Sequence, residues 1–239
     1  MRDSLKDIAY FEQRYVKDVA RFEATCIGCK DALRDLARYR NEFKGKINLY
    51  YYDVVLKFLM RFYSGYSIGL SKQELGKDLS VLINAIQNSW EGETYDDMES
   101  MLCFAIIFDI NKDEMKPVLE LLIKHDFRDF VLDSMAHYVD SDFTVRTAEL
   151  KFSVISKDYS DVIKTAKISK ENAVSKLAKF LQKKWLSQQT RGILNNQQHL
   201  SKDKYRGYWS IESVALVKML DLDDEILSDC RYYPCDLLH

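Results

Sequence analysis

Residues 8–36, IAYFEQRYVKDVARFEATCIGCKDALRDL, place apolar side chains at Ile8, Phe11, Tyr15, Val19, Phe22, Cys26, Cys29, Leu33 and Leu36. The steps alternate between three and four residues, so these side chains share one face of a long amphipathic helix. Gly28 falls inside the run and weakens a helix by about 1 kcal/mol relative to Ala, which a buried stripe absorbs; a kink is the alternative. The stretch 43–45 ends the pattern.

The rest of the chain follows the same economy. Only 8 Gly and 2 Pro punctuate 239 residues, too few turn residues for a sheet of short strands. With 47% hydrophobic and 13% aromatic residues the chain can fill one core or two packed halves. The fold class is therefore all-α: a compact helical bundle of about nine to eleven helices in two packed halves, led by the long N-terminal helix.

Residues 47–63 read as a second, aromatic-rich helix stopped by a loop over 64–69, where Gly65 and Gly69 are free to adopt positive φ. Ser71 with Glu74 is a capping box that opens a helix through Leu75, Leu79, Leu82, Ile83, Ile86 and Trp90. Asp96 with Glu99 repeats the signal before 98–110, and Asn111 with Glu114 before Pro117. A further helix covers 129–138, and the polar stretch 139–144 separates an N-terminal half, 1–138, from a C-terminal half, 145–239. Helices are predicted at 145–156 and 159–167, then from Ser169 as N-cap through Leu177, Phe180, Leu181 and Trp185. Residues 187–204 read as an exposed polar loop with one helical turn near Ile193, and 208–220 as the last helix before a turn at 223–227.

Charge is segregated although the net is only −2. Residues 91–142 carry 4 basic and 14 acidic side chains, 143–206 carry 14 and 5, and 207–239 carry 2 and 7. Such blocks shape the field that a partner meets, unless they are solvated faces that neutralise one another across the molecule. No apolar run has the length of a membrane span, and acids occupy the N-terminal residues where a signal peptide needs an apolar block, so a cytoplasmic protein is expected. The five cysteines are irregularly spaced; Cys26 and Cys29 have knuckle spacing but lie in a helical pattern without a second pair, so they read as buried thiols and no metal or cofactor is expected.

Catalytic machinery is sparse. There is no Gly-rich phosphate loop. His125-Asp126 has the form used by metal-dependent nucleotide hydrolases, but the further ligands would have to come from His137, His199 and His239. Glu212, near a helix start, reads as a cap partner or buried acceptor in preference to a shielded general base. The lysines at 164, 167, 170, 176, 179, 183 and 184 lie opposite an apolar stripe, the pattern of an ordinary surface helix, so neither nucleic acid nor membrane is an expected partner.

Near the C-terminus the residues form a recognisable set: Tyr205, Gly207-Tyr208-Trp209, Glu212, Lys218, Asp223-Asp224, Tyr233-Pro234 and Asp236-Leu237. Upstream stand Lys184-Trp185, Tyr63-Ser64-Gly65, Tyr10-Phe11 and Arg2-Asp3. In these features the chain resembles the PoNi immunity proteins, closely over 205–237 and loosely over 1–90, with Cys235 standing where an aromatic residue is expected. The resemblance implies an all-helical, non-catalytic protein that binds and neutralises a PoNe-type DNase toxin of the PD-(D/E)xK nuclease class in interbacterial competition. An all-helical scaffold without a toxin partner is the other reading.

The physical roles of the set are separable from the resemblance. Tyr208 and Trp209 bury on the order of 300–450 Å² and anchor the last helix. Asp223 and Asp224 are placed to cap the following turn, and Tyr233-Pro234 to fold a tail back. Tyr205, Gly207, Tyr208, Trp209, Glu212, Tyr233, Pro234 and Asp236 are thus expected to hold the scaffold. A DNase presents a basic groove to phosphates, so toxin contacts are expected among outward acids. These are Glu91, Glu93, Asp96, Asp97 and Glu99 with Asp140 and Asp142, and a second set of Asp221, Asp223, Asp224, Glu225 and Asp229.

Overall fold

The computed structural model describes residues 2–39, 47–189 and 204–239, with the backbone alone for 36–39 and 153–155. The described residues are all-α, with no strand among them. The predicted turn near Ile193 and the end of the first helix at 43–45 lie outside the described residues. Two compact units emerge: Met1–Glu91 with Asn195–Gly207, and Gly92–Leu194 with Tyr208–His239. The chain thus leaves the first unit at Glu91, returns to it, and leaves again at Gly207, whose φ of 101° is readily available only to glycine. The stretch 139–144, expected to divide the halves, runs within the second unit, where Phe143 is buried and its carbonyl meets His137 Nδ1 at 2.8 Å.

In the first unit, α1 (Ile8–Tyr39) packs along α2 (Ile47–Ile68), and α2 packs on α4 (Leu79–Ser89). Phe11, Phe22, Phe58, Phe62, Tyr66, Leu82 and Ile86 fill the core. Gly28 interrupts nothing: α1 is continuous there, and an added Cβ would meet no atom within 4 Å. The loop expected over 64–69 is mostly helix. Ser64 hydrogen-bonds the carbonyl of Met60, and Gly65 serves close packing, since a Cβ there would stand 3.0 Å from Tyr15, Leu70 and Leu75 side-chain atoms. Gly69 alone of the two takes positive φ, at 104°. The Ser71–Glu74 capping box forms as read, but it opens only α3 (Lys72–Leu75), because the chain turns at Gly76 before α4 begins.

In the second unit, α5 (Tyr95–Ile107) is buried around almost its whole circumference, packing on α7 (Phe130–Val139) and α11 (Ile211–Leu220). Its start corrects the Asp96–Glu99 capping box: Thr94 is the N-cap, and Asp97 at the third helical position hydrogen-bonds the Thr94 side chain. Asn111 and Ser169 cap α6 (Lys112–Lys124) and α9 (Lys170–Phe180) as expected, and α9 continues through a π turn, Leu181–Trp185, into α10 (Leu186–Gln189).

The helix expected over 145–156 does not form before α8 (Ser153–Ala166). Its backbone donors are taken elsewhere: Arg146 N–H donates to Asp133 Oδ2 at 2.7 Å, and Lys151 N–H to Asp129 Oδ2 at 2.8 Å. The Arg146 guanidinium adds bonds to Asp133 Oδ1 at 2.6 Å and to the carbonyls of Leu122 and Phe127. Two buried carboxylates thus hold an irregular strap against the ends of α6 and α7, outcompeting local helix propensity.

Candidate functional site

The outward acids divide into neutralised and free groups. Asp140 and Asp142 lie 3.9 and 3.2 Å from Lys112 Nζ, and Asp221 lies 2.6 Å from Lys170 Nζ. Asp221 is also the left-handed cap of α11, with φ of 50°. Glu91, the last residue of its stretch of the first unit, accepts from the Asn48 amide. Glu93 and Asp96 are exposed, whereas Asp97 and Glu99 are buried at 8% and 4% exposure and contribute nothing to an outward acidic face. They turn inward because α5 is buried around most of its circumference, Asp96 in its first turn being the acidic position that stays outward.

The loop after α11 is different. Asp223 accepts from the Glu225 backbone N–H at 3.0 Å, and Asp224 accepts from the Tyr233 hydroxyl at 3.0 Å, which fixes the short 3-10 turn Glu225–Leu227. Leu227 is fully buried beneath it, so the turn is anchored from below. On its outer side Glu225 and Asp229 are exposed and make no ion pair among the described residues, and Ile226 between them is 52% exposed. An exposed apolar side chain on a fixed turn, flanked by unneutralised acids, suits contact with a cationic surface.

The motif residues hold the scaffold from two sides. Tyr205 is buried and donates to Asp3 at 2.6 Å, while its carbonyl accepts from the Tyr10 hydroxyl. Arg206, which the sequence reading passed over, forks onto Asp18 at 2.6 and 2.8 Å, and its carbonyl accepts from Ser67 Oγ at 2.7 Å. The signal available was Asp18 itself, a carboxylate within a turn of the buried stripe position Phe22. In the second unit the Tyr208 carbonyl accepts from the Trp185 indole at 2.6 Å, Trp209 is buried, and Ser210 N–H donates to the Tyr232 carbonyl, which ties the tail to the start of α11. Pro234 is buried and precedes the 3-10 turn Cys235–Leu237, with Asp236 exposed in it.

Inside the second unit a polar cluster surrounds Glu99. The Tyr95 hydroxyl stands 3.4 Å from both Glu99 Oε1 and Asp129 Oδ1, and Glu212, Asp96 and Asp129 all raise the proton affinity of Glu99 beyond what burial alone does. Ser210 Oγ donates to Glu212 Oε2 at 3.2 Å, and burial pushes the Glu212 carboxyl up to about 7. Burial, with Glu212 and Glu99 nearby, also keeps the Tyr159 hydroxyl and the Cys103 thiol protonated. Among the described residues no three His, Cys, Asp or Glu side chains converge to hold a metal ion, and all five cysteines are free thiols. His125 caps the C-terminus of α6, with its Cβ 3.0 Å from where a Gly92 side chain would begin. No described helix is long and apolar enough to cross a membrane.

Comparison with protein families gives two matches that together span nearly all of the chain. The model of the N-terminal region of PoNe immunity proteins (PoNi) matches residues 2–120, and the model of their C-terminal region matches residues 127–237. No curated protein and no solved structure matches.

Proposed function

The chain belongs to the PoNe immunity protein family, and on that premise we propose that it captures a cognate PoNe-type DNase of the PD-(D/E)xK class through the acidic loop that follows α11. The observation that carries the choice of loop is the exposure of Glu225, Ile226 and Asp229 on a turn held by Asp223 and Asp224. A DNase groove is basic because it meets phosphates, so an acidic protein surface steers toward it and competes with DNA for it. Ile226 supplies apolar contact that charge alone lacks, and the rigid turn limits the ordering entropy of binding. Of the first acidic set, Glu93 and Asp96 remain outward and form a weaker accessory site. The protein acts by binding, in the cytosol, before the toxin reaches the chromosome.

The test is association kinetics with the nuclease encoded beside this gene. Reversing Glu225 and Asp229 to Lys together is expected to slow association by about tenfold or more at low salt and to flatten its salt dependence. The same reversal at Glu93 and Asp96 is expected to have a smaller effect. If the loop variant associates like the unaltered chain while the accessory variant does not, the order of the two surfaces is wrong. If co-expression of the unaltered chain fails to protect cells from that nuclease, the toxin assignment itself fails.

A further inference from the structure

We propose that Tyr205, Arg206 and Gly207 form a releasable latch on the first unit, with Arg14 poised to take Asp18 when Arg206 withdraws. The inference is independent of any toxin. It begins with donor accounting around Asp18, whose side chain has no solvent exposure. Arg206 Nε donates to Asp18 Oδ2 at 2.6 Å, and Arg206 Nη2 donates to Oδ1 at 2.8 Å. Arg14, one turn earlier on α1, brings its Nη2 to 3.4 Å from the same Oδ1 without hydrogen-bonding geometry. Arg14 is 3% exposed, and its Nε and Nη2 are buried with no hydrogen-bond acceptor among the described residues.

A buried guanidinium ordinarily spends its donors, because N–H groups cut off from both water and an acceptor lose their solvation with no return. Arg14 cannot spend them on Asp18 while Arg206 holds both oxygens. Asp3, the other buried carboxylate described in this unit, is committed to the Tyr205 hydroxyl at 2.6 Å and to the Leu5 N–H at 2.7 Å. Arg21, 4.0 Å from Asp18, is 55% exposed and turns its remaining donors to water. The closed latch therefore carries unmade bonds that its opening makes good: a small rotation of Arg14 sets its own fork on Asp18, as an i, i+4 pair within one helix. The rest of the latch is held mainly by hydrogen bonds. The Tyr10 hydroxyl donates to the Tyr205 carbonyl at 3.1 Å and Ser67 Oγ to the Arg206 carbonyl at 2.7 Å, bonds that water can replace, while the Tyr205 ring, 5.9 Å from that of Phe11, is the apolar anchor. The packing of α1 on α2 and of α2 on α4 is made by the helices themselves, so it outlasts the opening.

Hydrogen exchange of the Arg206 Nε–H, followed by nitrogen-15 NMR on the full chain, reads the opening, since that proton is bound to Asp18 only while the latch is closed. Arg14→Met keeps most of the side chain's length and packing and removes the rival donors. It is expected to slow this exchange by about tenfold or more, because the closed latch sheds its unmade bonds and the open one loses its replacement cation. The sign decides. Were Arg14 a plain support for Asp18, the same substitution would loosen the latch and speed the exchange; that outcome, or an unchanged rate, overturns the proposal. Should Arg14→Met fail to fold, the unaltered chain decides in low urea. Exchange at Arg206 Nε that is insensitive to urea, while the slowest α1 amides respond steeply, supports a separate opening, and equal urea dependence at both sites overturns it.

Discussion

Replacing Arg206 by Ala probes the largest departure of this fold from a simple succession of helices. The guanidinium holds both oxygens of Asp18, a side chain with no solvent exposure, at 2.6 and 2.8 Å. Without it, among the described residues, Asp18 keeps Arg14 at 3.4 Å, itself buried, and Arg21 at 4.0 Å. Removing one partner of a buried pair destabilises by about 3–5 kcal/mol, and the remaining arginines place this case at the lower end, about 3 kcal/mol. The Ser67 bond to the Arg206 carbonyl survives the substitution, so the loss is that of the ion pair and not of the strap's backbone. Hydrogen exchange of α1 and α2 amides is the assay, and about 3 kcal/mol corresponds to roughly a hundredfold loss of protection. Arg206→Lys, which keeps the charge but not the planar fork, is expected to fall between. Protection in Arg206→Ala within about threefold of the unaltered chain, or a lysine variant that matches it, refutes the claim that this bidentate contact holds the first unit closed.

Two other substitutions give clear expectations. Gly28→Ala, in an exposed stretch of α1 with open space around the new methyl, should stabilise by about 1 kcal/mol and raise the melting temperature in a thermal scan; a lower melting temperature would show that the site is covered. Asp133→Asn strips the charge from a fully buried carboxylate that holds Arg146 by side chain and backbone, and a loss of about 3 kcal/mol in urea unfolding, with faster exchange over 140–152, is expected.

The sequence was most legible where the deciding interactions are local. The α1 helix, with Phe11, Phe22 and Cys29 of its stripe buried though Ile8 is exposed, the caps at Ser71, Asn111 and Ser169, and the turn after α11 involve residues within four positions of each other, and these form as read. It was least legible where a distant carboxylate decides. Nothing between 145 and 152 discourages a helix, yet Asp129 and Asp133 claim the backbone donors of that stretch. Gly65 looked like a turn residue and is a packing residue, because the neighbours that forbid a Cβ there come from α1, from α3 and from Leu70 beyond the end of α2. Charge alone points Glu99 to the surface. Its environment depends on α7 and α11 packing onto α5, which no window along the chain contains.

The same distinction separates what identifies the family from what would select a partner. Tyr205, Gly207, Trp209 and Tyr233 are recognisable and also fixed by their surroundings: a buried phenol on Asp3, a positive φ, a buried indole, a phenol on Asp224. Changing any of them disturbs packing or backbone geometry, so they specify a scaffold. Glu225, Ile226 and Asp229 project from that scaffold with little holding their side chains. Substitutions there are expected to leave Leu227 buried and the Asp224–Tyr233 bond intact, and so to cost folding little. If the proposed loop is what meets the toxin, rewriting these few exposed side chains would change the partner while the buried residues that reveal the family stay fixed.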